Sequence, residues 1–343
     1  MKVFTSDNAA GIHPEVLAAI TRANQGRAVA YGDDEHTARA TALVRAQFGV
    51  EAEVLLVWGG TAANVIGLAC VTAPYEAILC AETAHLAVDE CAAPERFVGG
   101  KLVTLPVVHG KVTPAAVRGA LRGVGVVHAV QPRVLSIAQP TEVGTVYTLA
   151  ELGALAALCR EHDLLLHVDG ARLANAAAHL GVSLGAATTA VGVDLLSFGG
   201  TKSGLLGAEA VVLGERAHAR GARFHRKQGM HLASKMRFLA AQIEALLTDE
   251  LWLRVARHAN AMARRLADGV HALPHVELVH PVETNAVFAR LPARTVAALH
   301  DDGYRFLVWE PDPARPVVRW MTAFDTTDDD VDGFVAAITA APR

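Results

Sequence analysis

Lys202 stands in "LLSFGGTKSG", residues 195–204, where an apolar run gives way to two glycines and a threonine. An ammonium group is costly to bury and is ordinarily left in solvent. Earlier in the chain, "LLLHVDGARLANA" ends another apolar run on Asp169. Both residues follow strand-like segments, and open α/β sheets bind their ligands at the carboxyl ends of such strands. A buried Asp–Lys ion pair is one reading, but desolvation makes it a poor stabiliser. The other reading uses both groups chemically. A lysine amine condenses with an aldehyde, and the common cofactor of that kind is pyridoxal 5'-phosphate, PLP. PLP needs an acid to keep its ring nitrogen protonated, and Asp169 is the candidate. Its phosphate suits the backbone N–H groups of a helix start. "WGGTAANVIGL" supplies Gly59, Gly60 and Thr61 between a strand and a helix. A flat group over the ring completes the set, and His85 in "AETAHLAVDE" follows the next strand. The small residues around Lys202 are expected to leave room for a bulky cofactor at its amine.

The elements that must position these side chains are legible as short apolar runs. Residues 53–58, 77–81, 101–105, 133–138, 164–169, 194–198 and 208–213 read as strands, most of them apolar throughout, as strands buried on both faces are. Helical patterns lie between them. In one, Thr148 to His162, Thr148 can cap the first turn with Glu151 three residues on. The alternation predicts an α/β fold, a mostly parallel central sheet with helices on both faces. Residues 230–267 read as one long connecting helix. "VELVHPV" and "NAVFARL" then open a smaller C-terminal α+β domain, closed by "PVVRWMTAF" and a last helix. The division expected is 1–245 for a large PLP-binding domain with an N-terminal arm, and 246–343 for the small domain.

The composition excludes several classes. The chain has 343 residues, 52% hydrophobic and 19% charged, with a net charge of −4. Such a balance gives no reason to expect nucleic acid or an anionic membrane as partner. The N-terminus reaches polar residues by position 5, and stretches such as "AANVIGLACV" are too short to span a bilayer. Cys70, Cys80, Cys91 and Cys159 form no CxxC pair and read as buried thiols of a reducing, cytoplasmic protein. "GGTKS" is not a phosphate loop, because Thr201 and Leu196 stand where that motif needs glycine. "GVGVVH" fails as a dinucleotide fingerprint at His128. "DDDVDG", 328–333, has calcium-loop spacing, but Thr339 replaces the twelfth-position glutamate, so it reads as the capped start of the last helix. No HExxH pair occurs, and no metal site is expected.

Taken together the chain resembles the low-specificity L-threonine aldolases, fold-type I PLP-dependent enzymes of the β-eliminating lyase superfamily. Eight segments carry the resemblance, in the family's order: "SDNAAGIHPEV", "YGDDEHTARA", "GGTAAN", "ETAHLAVDECAAPE", "QPTEVGTVY", "HVDGARLANA", "SFGGTKSG" and "ASKMRFLAAQIEALL". It implies that Lys202 carries the cofactor, Asp169 pairs with the pyridine nitrogen, His85 stacks on the ring, and Gly60 and Thr61 meet the phosphate. It also implies that Ser6, Arg172 and Arg319 surround the substrate carboxylate. Arg172 lies three residues after Asp169, within reach of the same crevice. Arg319, a cation in the apolar "PVVRWM", would be satisfied by a bidentate carboxylate contact. Tyr31 and Arg226–Lys227 fall where the family completes a neighbour's site, which implies a homo-oligomer, dimer or tetramer, with Tyr31 toward substrate and Lys227 toward cofactor. Two places depart from the family pattern. Leu86 and Ala87 follow the stacking His where some relatives have an aromatic residue, and Thr141 and Glu142 occupy a loop where others have a second His.

The activity implied is retro-aldol cleavage of L-threonine, L-allo-threonine or a related β-hydroxy-α-amino acid, phenylserine among them, to glycine and an aldehyde. His85 or Glu90 could take the β-hydroxyl proton, directly or through water. The alternatives are a β-eliminating lyase, an aminotransferase, or a PLP-holding protein without turnover.

Overall fold

The computed structural model describes residues 2–49, 52–219 and 221–342. Seven strands form the large sheet: β1 (Glu53–Val57), β2 (Glu76–Ala81), β3 (Lys101–Leu105), β4 (Gln131–Ala138), β5 (Leu165–Gly170), β6 (Leu195–Gly199) and β7 (Glu209–Leu213). Their order across the sheet is β1-β7-β6-β5-β4-β2-β3. Every pairing is parallel except those of β7, which runs antiparallel to both β1 and β6. The inner strands are buried along nearly their whole length, and the apolar runs of the sequence follow from that. The parallel register sets Asp169 of β5 against Ser197 of β6 and Ala138 of β4, so three strand ends share one edge.

The helix Leu149–Glu161 starts at a full capping box between Thr148 and Glu151, as the sequence predicts. The acidic run 328–333 likewise opens the helix Asp328–Ala340, capped by Thr327 with Asp330. The expected single helix over 230–267 is two. Arg237–Leu247 and Leu251–Val270 are separated at Thr248–Glu250, where Asp249 and Glu250 have φ of 48° and 52°. The Thr248 hydroxyl donates back to the Glu244 carbonyl, and Asp249 tolerates the left-handed region, so these polar residues end one helix before the next begins.

The helix Leu251–Val270 touches two cores. Val255 and Ala256 pack with the large sheet, while Met262, Ala263 and Leu266 pack with a second sheet of four antiparallel strands near the C-terminus. That second core is aromatic: Trp320 meets Phe334 at 5.3 Å between ring centroids, and Phe4 stacks on Phe334 at 4.5 Å. The first residues of the chain therefore lie with the small sheet. Val3 bridges to Arg305, and the Phe4 carbonyl accepts the Met321 N–H. Among the described residues no helix is long and apolar enough to cross a membrane. Cys80 and Cys159 are buried and Cys70 partly so, but Cys91 is exposed, contrary to the expectation for all four. It occupies a left-handed position, φ 50°, in the turn that carries Glu90 inward.

Candidate active site

Lys202 sits in the one-turn segment Thr201–Ser203, directly beyond β6. The glycines before it do not provide the space anticipated. A Cβ on Gly199 would lie 2.5 Å from the Ala171 Cα, and one on Gly200 would lie 2.3 Å from the Leu205 Cδ1. Gly199 lets the end of β6 press against the backbone that follows Asp169, bringing Lys202 to the same crevice, and Gly200 lets the turn fold onto Leu205 and Ala208. Gly199→Ala is expected to cost about 1–3 kcal/mol, the range for an overpacked core. A urea midpoint equal to the parent's would show that the turn can yield. Open space lies instead at Gly59 and Gly60, where a Cβ would meet nothing within 4 Å.

Glu209 holds the turn from the antiparallel strand: its buried carboxylate accepts the Gly200 N–H at 2.8 Å, and burial pushes that carboxyl up to about 7. The neighbouring Arg172 charge, and then burial, hold the Lys202 amine below the ordinary lysine value. That direction favours the neutral, nucleophilic amine.

A row of hydrogen bonds joins His85 to Asp169. The His85 Nδ1 lies 2.9 Å from the Glu90 Oε1. The Asn64 Nδ2 donates both to that oxygen, at 2.9 Å, and to the Asp169 Oδ2, at 2.8 Å. The other Asp169 oxygen accepts the Ala171 N–H at 3.0 Å. The bond to Glu90 raises the His85 pKa, against the opposing effect of burial. Among the described residues the buried Asn64 Oδ1 and Glu90 Oε2 have no protein partner. Within the sheet, His167 spans Ser136 at 2.8 Å and Ser197 at 3.1 Å, and burial lowers its pKa to about 4. A neutral imidazole thus backs Asp169.

Arg172 donates through Nε and Nη2 to the two Asp7 oxygens, at 2.6 and 2.9 Å, and Asn285 adds a bond to Asp7 at 3.1 Å. Burial alone would raise the Asp7 carboxyl, but Arg172 more than offsets it and holds it below its ordinary value. Ser6 caps the turn Asp7–Ala9 by accepting the Asn8 N–H. Arg319 donates through Nη2 to the Thr5 carbonyl at 3.0 Å and lies over Trp309 at 5.3 Å, while its buried Nε has no protein partner. Burial, then the charge of Arg172, push it down to about 10. A desolvated cation beside another cation, with a donor left over, is a site for an anion.

Seven of the expected residues line one cavity of about 70 Å³: Gly60, Thr61, His85, Glu90, Asp169, Arg172 and Lys202. Asn64, Thr141 and Glu142 line it too. Gly59 lines an adjoining cavity of about 460 Å³ that shares Gly60 and Thr61. Ser6 and Arg319 line neither, and connect to the site through Asp7, Thr5 and Arg172. Tyr31 and Lys227 stand apart from both, the Lys227 Nζ 5.6 Å from the centre of the half-exposed Tyr31 ring. The residues that sequence reasoning passed over are Asp7, Asn64 and Glu209; Glu142 it noted only as a departure from the family pattern. Asn64 and Glu209 each break an apolar segment, a signal that was present; Asp7 carries no such mark.

These residues fit PLP. The helix Gly60–Ala69 begins with no side-chain cap, leaving its first N–H groups for a phosphate beside open space. Asp169, Lys202 and His85 are the acid, the amine and the flat ring that such a cofactor requires.

A sequence profile of the family described as beta-eliminating lyase matches residues 4–293. The chain belongs to this family. It is 45% identical over 324 residues to a low specificity L-threonine aldolase of Pseudomonas aeruginosa, covering 94% of this chain and 93% of the relative. It is 43% identical over 338 residues to another of that name from a Pseudomonas species, with 98% and 97% covered. Among solved structures, a threonine aldolase of Leishmania major superposes with a TM-score of 0.93 at 32% identity, covering 98% of each chain. The architecture is that of fold type I, as the sequence implies for this beta-eliminating lyase family member.

Proposed function

We propose that the protein is a PLP-dependent aldolase that cleaves L-threonine, L-allo-threonine or related β-hydroxy-α-amino acids to glycine and an aldehyde. The observation that carries this reading is the meeting of Lys202, Asp169 and His85 on one cavity at the uncapped start of the helix Gly60–Ala69. The near full-length likeness to two curated L-threonine aldolases supports it. When bound, PLP supplies an aldehyde that captures amines and a protonated pyridine ring that draws electrons from the substrate's α-carbon.

The chain's own residues do the rest. Lys202, with its depressed pKa, offers the attacking amine. Asp169, fixed by Asn64 and the Ala171 N–H, holds a proton at the ring nitrogen. His85, anchored by Glu90, covers the ring face. Gly59, Gly60 and Thr61 bind the phosphate. Arg319, with Arg172 and Ser6 nearby, would hold the substrate carboxylate and so select which bond at the α-carbon reacts. The same reading makes the protein a cytoplasmic homo-oligomer. Tyr31 and Lys227 stand outside the cavity of their own chain, as residues lent to a neighbour's site do.

The test is to incubate PLP-loaded protein with L-threonine, L-allo-threonine and L-phenylserine and to assay aldehyde and glycine together. Equal amounts of both are expected. Keto acid with ammonia would replace the aldolase reading by β-elimination.

A further inference from the structure

One carboxylate on this cavity has no part in the roles above. Glu142 lies in the loop after β4 and lines the cavity with His85, Thr141 and Lys202. Its Oε1 accepts the His85 backbone N–H at 3.1 Å, which fixes the carboxylate beside the imidazole. The other carboxylates are differently placed: Asp169 uses both oxygens, on Asn64 and the Ala171 N–H, and Glu90 is buried behind His85, holding it and Asn64 through Oε1. His85 is given to the ring face in the reading above, and its Nδ1 is tied to Glu90.

We infer that Glu142 is the base that receives the substrate's β-hydroxyl proton. This rests on the aldolase reading. In the step, the O–H bond breaks and its proton moves to the Glu142 carboxylate. The O–H electron pair becomes the second bond of the aldehyde C=O, and the Cα–Cβ pair stays on the carbon that becomes the glycine Cα. That carbon then takes up a proton, and Glu142 returns its own to solvent.

The surroundings suit the task. Burial pushes the Glu142 carboxyl up to about 7, the range in which a general base works best near neutral pH. The facing groups act in both directions. Asp169 raises it, the His85 N–H and charge lower it, and Arg172 feels its charge from beyond. Cys80 and Tyr147 also face it, and burial keeps both neutral there, the Cys80 thiol pushed up to about 12 and the Tyr147 phenol raised as well. The Lys202 amine shares the cavity.

The experiment compares PLP-loaded parent, Glu142→Gln and Glu142→Asp in three readouts. These are the visible absorption of the bound cofactor, the exchange of the glycine α-hydrogen in D2O by NMR, and the pH profile of L-threonine cleavage. Glycine has no β-hydroxyl, so its exchange needs the cofactor and Lys202 but not this base. Glu142→Gln is expected to keep the absorption and the exchange, to lose about 10²- to 10⁴-fold in kcat/KM for cleavage, and to lose the limb that rises with pH toward about 7. Glu142→Asp should recover part of the rate and retain such a limb. Cleavage by Glu142→Gln at the parent rate with the limb intact would overturn the assignment. So would cleavage and exchange falling together, the mark of a structural role. A parent that exchanges glycine yet cleaves no β-hydroxy-α-amino acid would overturn the aldolase reading itself, and this inference with it.

Discussion

Lys202→Ala is expected to abolish the visible absorption of lysine-bound PLP and to lower aldehyde release by about 10⁴-fold or more, the scale on which enzymes lose rate with their nucleophile. The argument is geometric before it is chemical. Lys202 is placed by a turn that Glu209 holds through the Gly200 N–H and that Gly199 allows to lie against Ala171. No other amine lines the cavity among the described residues, so nothing stands ready to replace it. Absorption spectra and coupled aldehyde assays at saturating PLP check the expectation. A variant that keeps both would remove Lys202 from the mechanism.

The second large effect concerns stability. Asp7→Ala leaves the Arg172 guanidinium without its bidentate partner and removes one of the two acceptors of the Asn285 amide, which keeps the Thr322 carbonyl. Breaking a buried pair from one side typically costs about 3–5 kcal/mol, because the remaining charge stays desolvated. The sign with pH follows from the depressed Asp7 pKa. A carboxyl with a lowered folded-state value contributes stability that is fully present above the ordinary aspartate value of 3.8 and is lost as pH falls through the folded value. The parent should therefore exceed the variant by the full amount at pH 7 and converge with it only in strong acid. Urea denaturation at pH 7 and at pH 3 measures both. A difference below about 1 kcal/mol at pH 7, the size of an exposed pair, would mean that Arg172 finds water or another partner.

Much of the architecture was legible because buried parallel strands leave unbroken apolar runs, and all seven predicted strands of the large sheet lie within a residue or two of their expected bounds. The break at Thr248–Glu250 was not, since three polar residues inside a helical pattern look like one exposed turn until the back-bond from Thr248 and the positive φ values appear. Around the site, Lys202, Asp169 and the Gly59–Thr61 segment announced themselves as chemistry in apolar surroundings. The glycines before Lys202 were misread for a physical reason: absence of a side chain signals space or close approach alike, and here it was close approach. Asn64 and Asp7 act by joining residues far apart in sequence, and local spacing does not encode a bridge of that length.

The N-terminal segment described with the small sheet bears on the order in which the protein can be completed. Within about ten residues it hands its backbone to Arg305 and Met321, a carbonyl to Arg319, a carboxylate to Arg172 and an N–H to the Gly204 carbonyl beside Lys202. Domains emerge from the ribosome N-terminus first. Residues 3–7 are thus made long before their partners Arg305, Arg319 and Met321. The large sheet can gather while translation proceeds, but Arg172 and Arg319 lack these partners until the two distant segments meet. Long-range closure of this kind is the slow part of folding. Synthesis as far as Met321 is in this sense built into the site as a condition of its assembly.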